Sequence, residues 1–328
     1  MIIKIFLNSI GHYYQHEMLT KFAEGIAKRN PEDTVIMDLG DEYSHCDVAI
    51  IFGSWKERDK GHHIVRSSVA NRAKCFVVVE TPLVGRKVNE ENKYWRVGVD
   101  GFLNNQGHFI LKSMKSKCPG NRFAKLGLDN FQGWKNDPNG HILLMLQLPG
   151  DASLRRTNIY NWAEDIIYQI RSRSDKRIVV RPHPLANLKD GDEFYSFFYK
   201  LIKAGHKKIE FSEPKAVPLS QDLNGAYCSI SFSSGSSIDS IMAGIPTIAC
   251  DPGNFAWDIS SKYVDQLDEL VKVQNKTVEQ WLWDLSWYQW TTQEMRTGEC
   301  WQHIRPICEA NLLAQAEEES KESGKRKK

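Results

Sequence analysis

The chain has 328 residues, of which 41% are hydrophobic and 26% charged, and its formal net charge is +2 at pH 7. This is the composition of a globular protein long enough for two domains of about 150 residues each. No run of 18 apolar residues occurs, and Met1 leads directly into a strand-like run, so we expect a cytoplasmic protein without a signal peptide or a transmembrane span. The seven cysteines are scattered, which favours free thiols over zinc sites or disulfides.

Charge is unevenly distributed along the chain. Residues 60–125 contain 13 Lys or Arg residues against 4 acidic residues, a charge of +9, so the remaining residues sum to −7. A basic face on the first half would suit a polyanionic acceptor such as nucleic acid or an acidic glycan. The alternative is an ordinary solvated surface on which nearby acids compensate the cations.

The first third of the chain alternates between strand and helix patterns. Residues 2–7 form an apolar run that ends in a polar segment, and residues 16–28 have the helical spacing of apolar side chains. Three further short apolar runs predict strands at residues 35–39, 48–52 and 75–79. This alternation predicts a doubly wound parallel sheet that binds ligands at the carboxyl ends of its strands.

Two acidic residues follow apolar runs in this first domain. Glu80 follows the run at residues 75–79, and Asp100 follows the short apolar run that begins at Tyr94. A carboxylate at a strand end can act as a general base. Glu80 could equally cap a helix, and Asp100 with Gly101 could be a plain turn.

A polar segment rich in Gly, Pro and Asn, residues 132–140, is the best linker in the chain. The apolar run at residues 141–148 then predicts a buried strand that opens a second series of alternating elements. The loop after it contains Gln147, Ser153 and Arg155. Such a loop can offer polar groups and an arginine to a diphosphate, although Pro-Gly-Asp within it is also typical of a simple turn.

A second candidate anion contact lies further along the chain. A short strand pattern at residues 177–180 ends in Arg181, Pro182, His183 and Pro184. A cation and an imidazole held between two prolines form a rigid contact for an anion. The alternative is a histidine that is held there by packing alone.

The most distinctive segment is residues 231–246, which follow the strand pattern at residues 227–230. Its small polar residues supply hydroxyl and amide donors at the start of a predicted helix that ends near Gly244: Ser233, Ser234, Gly235, Ser236 and Ser237. Asp239 falls in the first turn of that helix. A strand that leads into such a loop and a helix presents backbone N–H groups to phosphate. In the structural alternative, the serines cap the helix and Asp239 complements its dipole.

The two segments together resemble a known family. Arg181-Pro182-His183-Pro184 and residues 231–246 are similar to the HP and serine motifs of capsule-type, Kdo-type and sialic-acid transferases, which are GT-B glycosyltransferases. The same spacing is similar to the UDP-N-acetylglucosamine 2-epimerases. The resemblance covers residues 141–255 and implies two Rossmann-like doubly wound domains with an interdomain cleft.

The resemblance also implies roles for individual residues. It assigns the nucleotide phosphates to His183, Ser233, Ser234 and Ser236, and the ribose to Asp239. Val99-Asp100-Gly101 resembles the acid-acid-Gly element that supplies the base in some sialic-acid-type transferases, but Val99 stands in place of the first acid.

The C-terminal part is rich in tryptophan, and Thr291 with Glu294 has the spacing of a capping box at a helix start. It resembles the ends of capsule-type and phage-encoded transferases, in which a crossover helix returns to the first domain. We therefore predict that the chain is divided into four parts: an acceptor domain at 1–135, a donor domain at 136–280, C-terminal helices at 281–314, and a disordered tail at 315–328.

The sequence thus predicts a metal-independent GT-B glycosyltransferase that uses a nucleotide-sugar, with a UDP-sugar favoured over a CMP-sugar. Glu80 or Asp100 would deprotonate the acceptor hydroxyl, and Arg181, His183 and the serine-loop donors would neutralise the departing phosphate. The basic first half and the phage-like C-terminal pattern favour hydroxymethylated pyrimidine in double-stranded DNA as acceptor. The alternatives are a capsular polysaccharide or lipopolysaccharide transferase, which acts on a glycan, and a sugar-nucleotide epimerase.

Overall fold

The computed structural model describes residues 1–56, 61–85, 94–186 and 192–325. The chain divides into two compact units. Unit 1 contains Met1–Phe102, Gln106–Leu128 and Gln280–Lys328, and unit 2 contains Leu103–Asn105 and Asp129–Glu279. Unit 1 is therefore built from both ends of the chain.

Short, mostly buried apolar runs form the strands. In chain order the strands of the described residues are β1 (Ile2–Phe6), β2 (Thr34–Asp38), β3 (Val48–Phe52), β4 (Phe76–Glu80), β5 (Tyr94–Val99), β6 (His141–Met145), β7 (Ile178–Arg181), β8 (Ile209–Phe211), β9 (Ala226–Ser231), β10 (Thr247–Ala249) and β11 (Gln289–Thr291). Strands β3 and β6 are buried at every residue, as expected for a parallel sheet that is covered on both faces.

Helices connect most of these strands. Those of the described residues are α1 (Tyr13–Arg29), α2 (Gly61–Arg72), α3 (Asn121–Lys125), α4 (Ile159–Arg171), α5 (Asp192–Lys203), α6 (Leu219–Leu223), α7 (Ser236–Met242), α8 (Asn275–Ser286), α9 (Thr292–Thr297) and α10 (Glu299–Lys325). The predicted capping box of Thr291 and Glu294 is present at the start of α9. None of the helices in the described part of the chain is both long and apolar enough to cross a membrane.

Unit 2 contains a five-stranded parallel sheet with the order β10-β9-β6-β7-β8. Its core combines apolar side chains of the sheet with the buried face of α4, including Ile142, Ile167 and Ile230. The prediction of an α/β domain with a Rossmann-like parallel sheet is therefore confirmed for unit 2.

Unit 1 contains a six-stranded sheet with the order β11-β5-β4-β3-β1-β2. Strands β2, β1, β3 and β4 are parallel, as predicted. Strand β5 runs antiparallel to β4, and β11 runs antiparallel to β5. The expectation of an entirely parallel first sheet was therefore wrong at this edge, because the connection between β4 and β5 reverses the chain instead of crossing over.

The C-terminal segment is held in unit 1 by a buried arginine. Arg122, which the sequence analysis counted among the basic surface residues, donates to both carboxylate oxygens of Glu294 at 2.9 and 3.0 Å. It also donates to the backbone oxygen of Gln289 at 2.7 Å and lies over the Trp290 ring. Its burial removes this cation from the predicted basic face.

The end of the chain differs from the expected disordered tail. Helix α10 continues to Lys325, and residues 326–328 of the predicted tail lie outside the described residues. Lys74 pairs with Glu319, and Gln315 donates to the backbone oxygen of Lys74. These contacts hold the polar end of α10 against unit 1, whereas its composition predicted a disordered tail.

The seven cysteines are free thiols, as predicted, and six of them are buried. Burial raises the pKa of the Cys46 thiol to about 11 and that of Cys250 to about 12. They are therefore packed as neutral side chains.

A partly buried histidine makes unit 1 sensitive to acid. His303 of α10 donates from Nε2 to the backbone oxygen of Phe109 at 3.1 Å and packs beside the rings of Trp287 and Trp290. Burial lowers the pKa of His303 from 6.5 to about 4. Because the neutral form is favoured in the folded state, its contribution to stability is complete above pH 6.5 and is lost as the pH falls toward 4.

We expect the free energy of unfolding of unit 1 to fall by about 3 kcal/mol between pH 7 and pH 4 through this histidine alone. Urea unfolding across this pH range measures the loss. The control is His303→Gln, whose amide can still donate to Phe109 but does not titrate. Equal pH slopes for the wild type and this variant would contradict the assignment.

Candidate functional site

The carboxyl edge of the sheet in unit 2 has an opening that its topology creates. The chain runs from β6 through β7 to β8 on one side, and then places β9 and β10 on the other side of β6. The connections that follow β6 and β9 therefore leave in different directions, which is the topology that creates a crevice between such connections in open α/β sheets. Open α/β sheets bind ligands at such a point.

Three of the predicted site residues meet at this crevice. The Gln147 amide nitrogen donates to Ser153 Oγ at 2.6 Å and to Ser233 Oγ at 3.1 Å, and its oxygen accepts the Ser233 backbone N–H at 2.9 Å. Ser233 Oγ donates to the backbone oxygen of Ser153 at 2.9 Å. Gln147 and Ser233 are both buried. Gln147, Ser153 and Ser233 thus form a framework that fixes the loop after β6 relative to the loop after β9.

The residues just after this framework retain donor capacity. The Ser234 and Ser236 hydroxyls lie 2.7 Å apart, and the Ser236 N–H donates to Ser234 Oγ. Among the described residues, nothing accepts a hydrogen bond from the backbone N–H of Ser234 or of Gly235. Ser234, Gly235 and Ser236 are only partly buried. This segment can therefore donate to an anionic ligand in the crevice.

Arg155 ties the loop after β6 to the loop after β10. Its guanidinium pairs with both carboxylate oxygens of Asp251, and its backbone is left-handed with φ 47°. Asp251 also accepts the Gly253 N–H at 2.7 Å. The predicted phosphate role of Arg155 would require this ion pair to open or to share its cation.

Arg181 stands apart from the group at the crevice. It is buried and pairs with Asp222, and it also donates to Ser212 Oγ at 3.2 Å and to the Val217 backbone oxygen at 3.0 Å. Its sequence context predicts an anion contact, but Asp222 on α6 already neutralises its charge. Arg181 therefore connects the end of β7 to α6 and to the segment that follows β8.

His183 follows β7 at the same carboxyl edge as the crevice. Its Nδ1 accepts the Leu185 backbone N–H at 3.1 Å, which places the proton of the neutral ring on Nε2. The ring is therefore a donor through Nε2. Asp239 lies one turn into α7 and is partly buried; its ribose role stays a prediction.

Glu80 lies at the carboxyl edge of unit 1, as its position at the end of β4 requires. One carboxylate oxygen accepts the Ser54 N–H at 2.8 Å, the other accepts the Thr81 N–H at 3.0 Å, and Arg96 lies 4.0 Å away. These contacts hold the carboxylate in one position beside the loop that follows β3. Its role as a base stays a prediction.

Asp100 lies at the opposite edge of the sheet. Because β5 is antiparallel to β4, its last residues lie beside the first residues of β4, and Asp100 Oδ1 accepts the Phe76 N–H at 2.8 Å. Four residues of strand, about 13 Å, separate Phe76 from Glu80. Asn311 of α10 donates to the other oxygen of Asp100 at 2.7 Å, and burial raises the pKa of this carboxyl. Asp100 therefore lies at the other edge of the sheet from Glu80.

Sequence reasoning missed Arg66, which lies at the carboxyl edge of unit 1. Its Nε donates to the Ser9 backbone oxygen at 2.8 Å, and its Nη1 donates to the Ser54 backbone oxygen at 3.1 Å. It was counted only as one of 13 cations. Its position between Val65 and Val69, on the buried face of α2, is the signal that could have distinguished it.

Comparisons with known proteins give distant structural likenesses. No protein-family model matches the chain, and no curated protein sequence matches it. A beta Kdo 2,4 transferase from Thermosulfurimonas dismutans matches at 11% identity over 76% of this chain and 79% of that chain, with a TM-score of 0.46. A beta Kdo 2,7 transferase of the same organism matches at 10% identity over 91% and 99%, with a TM-score of 0.46. A Methanocaldococcus jannaschii UDP-GlcNAc 2-epimerase matches at 14% identity over 85% and 98%, with a TM-score of 0.32.

In the part of the chain that the structure describes, no group of three or more His, Cys, Asp or Glu residues could hold a metal ion.

The framework at the crevice of unit 2 is testable through its buried donor. Gln147→Leu leaves the Ser233 N–H without its acceptor, and we expect it to lower the free energy of unfolding by about 1–3 kcal/mol. Gln132→Leu, at an exposed position of the same unit, is the matched control and should change it by less than about 0.5 kcal/mol. Urea unfolding of both variants measures the difference, and equal effects would show that the framework contributes nothing.

Proposed function

We propose that the chain is a glycosyltransferase of the GT-B type that binds a nucleotide-sugar, preferably a UDP-sugar, at the crevice of unit 2. One observation carries the proposal: the framework of Gln147, Ser153 and Ser233 lies where the strand order reverses. That point is the ordinary ligand position of a parallel sheet. The HP and serine motifs of this unit, which resemble those of sugar transferases, border the same edge.

The available donors suit a diphosphate. The backbone N–H groups of Ser234 and Gly235 and the hydroxyls of Ser234 and Ser236 can donate to phosphate oxygens without disturbing the framework. The resemblance of the HP motif assigns His183, at the same edge, to the same phosphates. Because the nucleotide diphosphate leaves with increasing negative charge, donors fixed in this position would stabilise the transition state.

In an inverting transfer the remaining requirement is a base. Glu80 would take the proton of the acceptor hydroxyl, whose oxygen forms the new bond to the anomeric carbon as the bond from that carbon to the diphosphate breaks. The products are the glycosylated acceptor and the nucleotide diphosphate. Asp100 is the weaker candidate because it accepts hydrogen bonds at the other edge of the sheet.

We favour a glycan as the acceptor over hydroxymethylated pyrimidine in DNA. The DNA prediction depended on the phage-like C-terminal pattern and on 13 basic residues. Of these basic residues, Arg66, Arg96 and Arg122 are buried, and Lys60, Arg86, Lys87 and Lys93 lie outside the described residues. The observation that still favours DNA is a set of exposed lysines in unit 1, namely Lys112, Lys115, Lys117 and Lys125. A sugar-nucleotide epimerase would use the same crevice in unit 2 without an acceptor.

Nucleotide binding is the first test. We expect UDP and UDP-sugars to raise the melting temperature of the wild type more than CMP, CDP or GDP sugars do, because binding to the folded state alone stabilises it. His183→Ala should reduce this rise. The matched control is His206→Ala, since His206 precedes β8 and lies toward the other edge of the same sheet. If no nucleotide stabilises the wild type, the proposal fails; if both variants respond equally, the role of His183 fails.

Acceptor identity is tested by transfer of labelled sugar. We expect label on oligosaccharide acceptors and none on hydroxymethylated DNA, with transfer lowered at least about 100-fold in Glu80→Gln and unchanged in folded Asp100→Asn. Steep loss of acceptor binding with ionic strength, together with labelled DNA, would instead support the DNA acceptor. Release of an isomerised sugar without any acceptor would support the epimerase.

A further inference from the structure

Unit 1 has its own point of strand reversal, and Arg66 occupies it. The chain goes from β1 to β2 on one side and then places β3 and β4 on the other side of β1. Arg66 donates to the Ser9 oxygen in the loop after β1 and to the Ser54 oxygen in the loop after β3. Its guanidinium therefore lies in the crevice between these two loops.

Two glycines leave room for the guanidinium. A Cβ atom at Gly53 would lie 2.7 Å from Arg66 Cζ and 2.8 Å from both terminal nitrogens, and Gly53 has a φ of 83°. A Cβ atom at Gly11 would lie 3.9 Å from Nη2 and would meet no atom more closely. Gly53 thus packs against the face of the guanidinium, whereas Gly11 borders its Nη2 end at an exposed position.

The Nη2 end of Arg66 has no acceptor within the described part of the chain. Arg66 is only 7% exposed, yet Nη2 donates no hydrogen bond to any residue that the structure describes. Nη2 is not one of the fully buried atoms without a hydrogen-bond partner, so it retains access to solvent. A recessed guanidinium with its end open to the crevice is the arrangement that binds an oxyanion.

The charges nearby favour an anion. Arg66 is a buried cation, and the nearby Glu80 acts on its charge without forming an ion pair with it, since among the described residues Glu80 pairs with Arg96 at 4.0 Å. Burial lowers the pKa of Arg66 to about 10, against the opposing effect of Glu80, so Arg66 is charged at neutral pH. A buried cation without full compensation is costly, and a bound anion would offset that cost.

We propose that the crevice beside Arg66 Nη2 binds an oxyanion, a carboxylate or a phosphate group, carried by the acceptor. The recessed position suits a terminal group that can enter between the Gly11 and Gly53 loops, and it does not suit the phosphodiester backbone of a duplex. The assignment to the acceptor rests on the proposed function. The oxyanion site itself does not, and it is tested without any nucleotide or acceptor.

The test uses inorganic phosphate and, separately, acetate on the full chain, with chloride at equal ionic strength as reference. Hydrogen–deuterium exchange is measured on peptides that cover residues 8–15 and 50–56. At a ligand concentration of about twice Kd, exchange that requires the site to open should slow roughly threefold, because binding multiplies the closed population by 1 + [L]/Kd. Peptides that cover residues 231–237 report the crevice of unit 2 in the same experiment.

The variants are chosen at Gly11 because its Cβ would be tolerated. Gly11→Asp places a carboxylate next to Nη2, and we expect it to abolish the protection of residues 8–15 and 50–56 by phosphate and by acetate. Gly11→Asn has the same shape without the charge and should retain the protection. Arg66→Met should also abolish the protection, but this variant loses two hydrogen bonds within the fold. If Arg66→Met does not fold, the comparison of Gly11→Asp with Gly11→Asn decides the test.

The outcomes separate this proposal from the proposed function. Protection in the wild type and in Gly11→Asn, but not in Gly11→Asp, supports the oxyanion site. Absence of protection in the wild type, or equal protection in both Gly11 variants, overturns it. Protection of residues 231–237 bears only on unit 2, since no Gly11 variant changes that unit. Protection with acetate as well as phosphate supports a carboxylate-bearing acceptor, and protection with phosphate alone supports a phosphate-bearing one.

Discussion

The reversal of strand order beside β1 and beside β6 is the constraint on which the candidate sites depend. In each unit, two neighbouring parallel strands send their connections in opposite directions, so no loop can fill the space between them. Backbone and polar side chains that border the space must satisfy one another or face water. The two units solve this problem with different residues, and the difference defines what each crevice can bind.

At the point where the strand order reverses, unit 2 has a neutral hydrogen-bond network and unit 1 has the cationic side chain of Arg66. Gln147 is a donor and an acceptor at once, so it can connect Ser153 and Ser233 and leave no net charge behind. Arg66 can only donate, and the residues that the structure describes supply acceptors for two of its three nitrogens. The neutral network positions backbone donors for a ligand, whereas the arginine is itself an unsaturated donor.

Sequence patterns predicted the parts of the fold that depend on local order. Apolar runs such as Val48–Phe52 and residues 142–145 are typical of strands buried in a parallel sheet. The direction of Tyr94–Val99 could not be read, because an apolar run looks the same in either direction, and the position of Asp100 depended on that direction. The partner of Arg181 was equally hidden, since Asp222 lies 41 residues away on helix α6. Arg66 was missed because its charge was counted while its place on the apolar face of α2 was not.

The antiparallel strand β11 has a consequence for the order in which the protein is made. Its pairing with β5 and the clamp of Arg122 on Glu294 both use residues beyond position 280, and every residue of unit 2 precedes them. A ribosome therefore releases the whole of unit 2 before it supplies the last strand of unit 1. Domains fold as units during synthesis, so the second sheet can be complete while β5 is still an unpaired edge. During that interval the exposed edge of β5 is the part of the nascent chain most open to incorrect pairing.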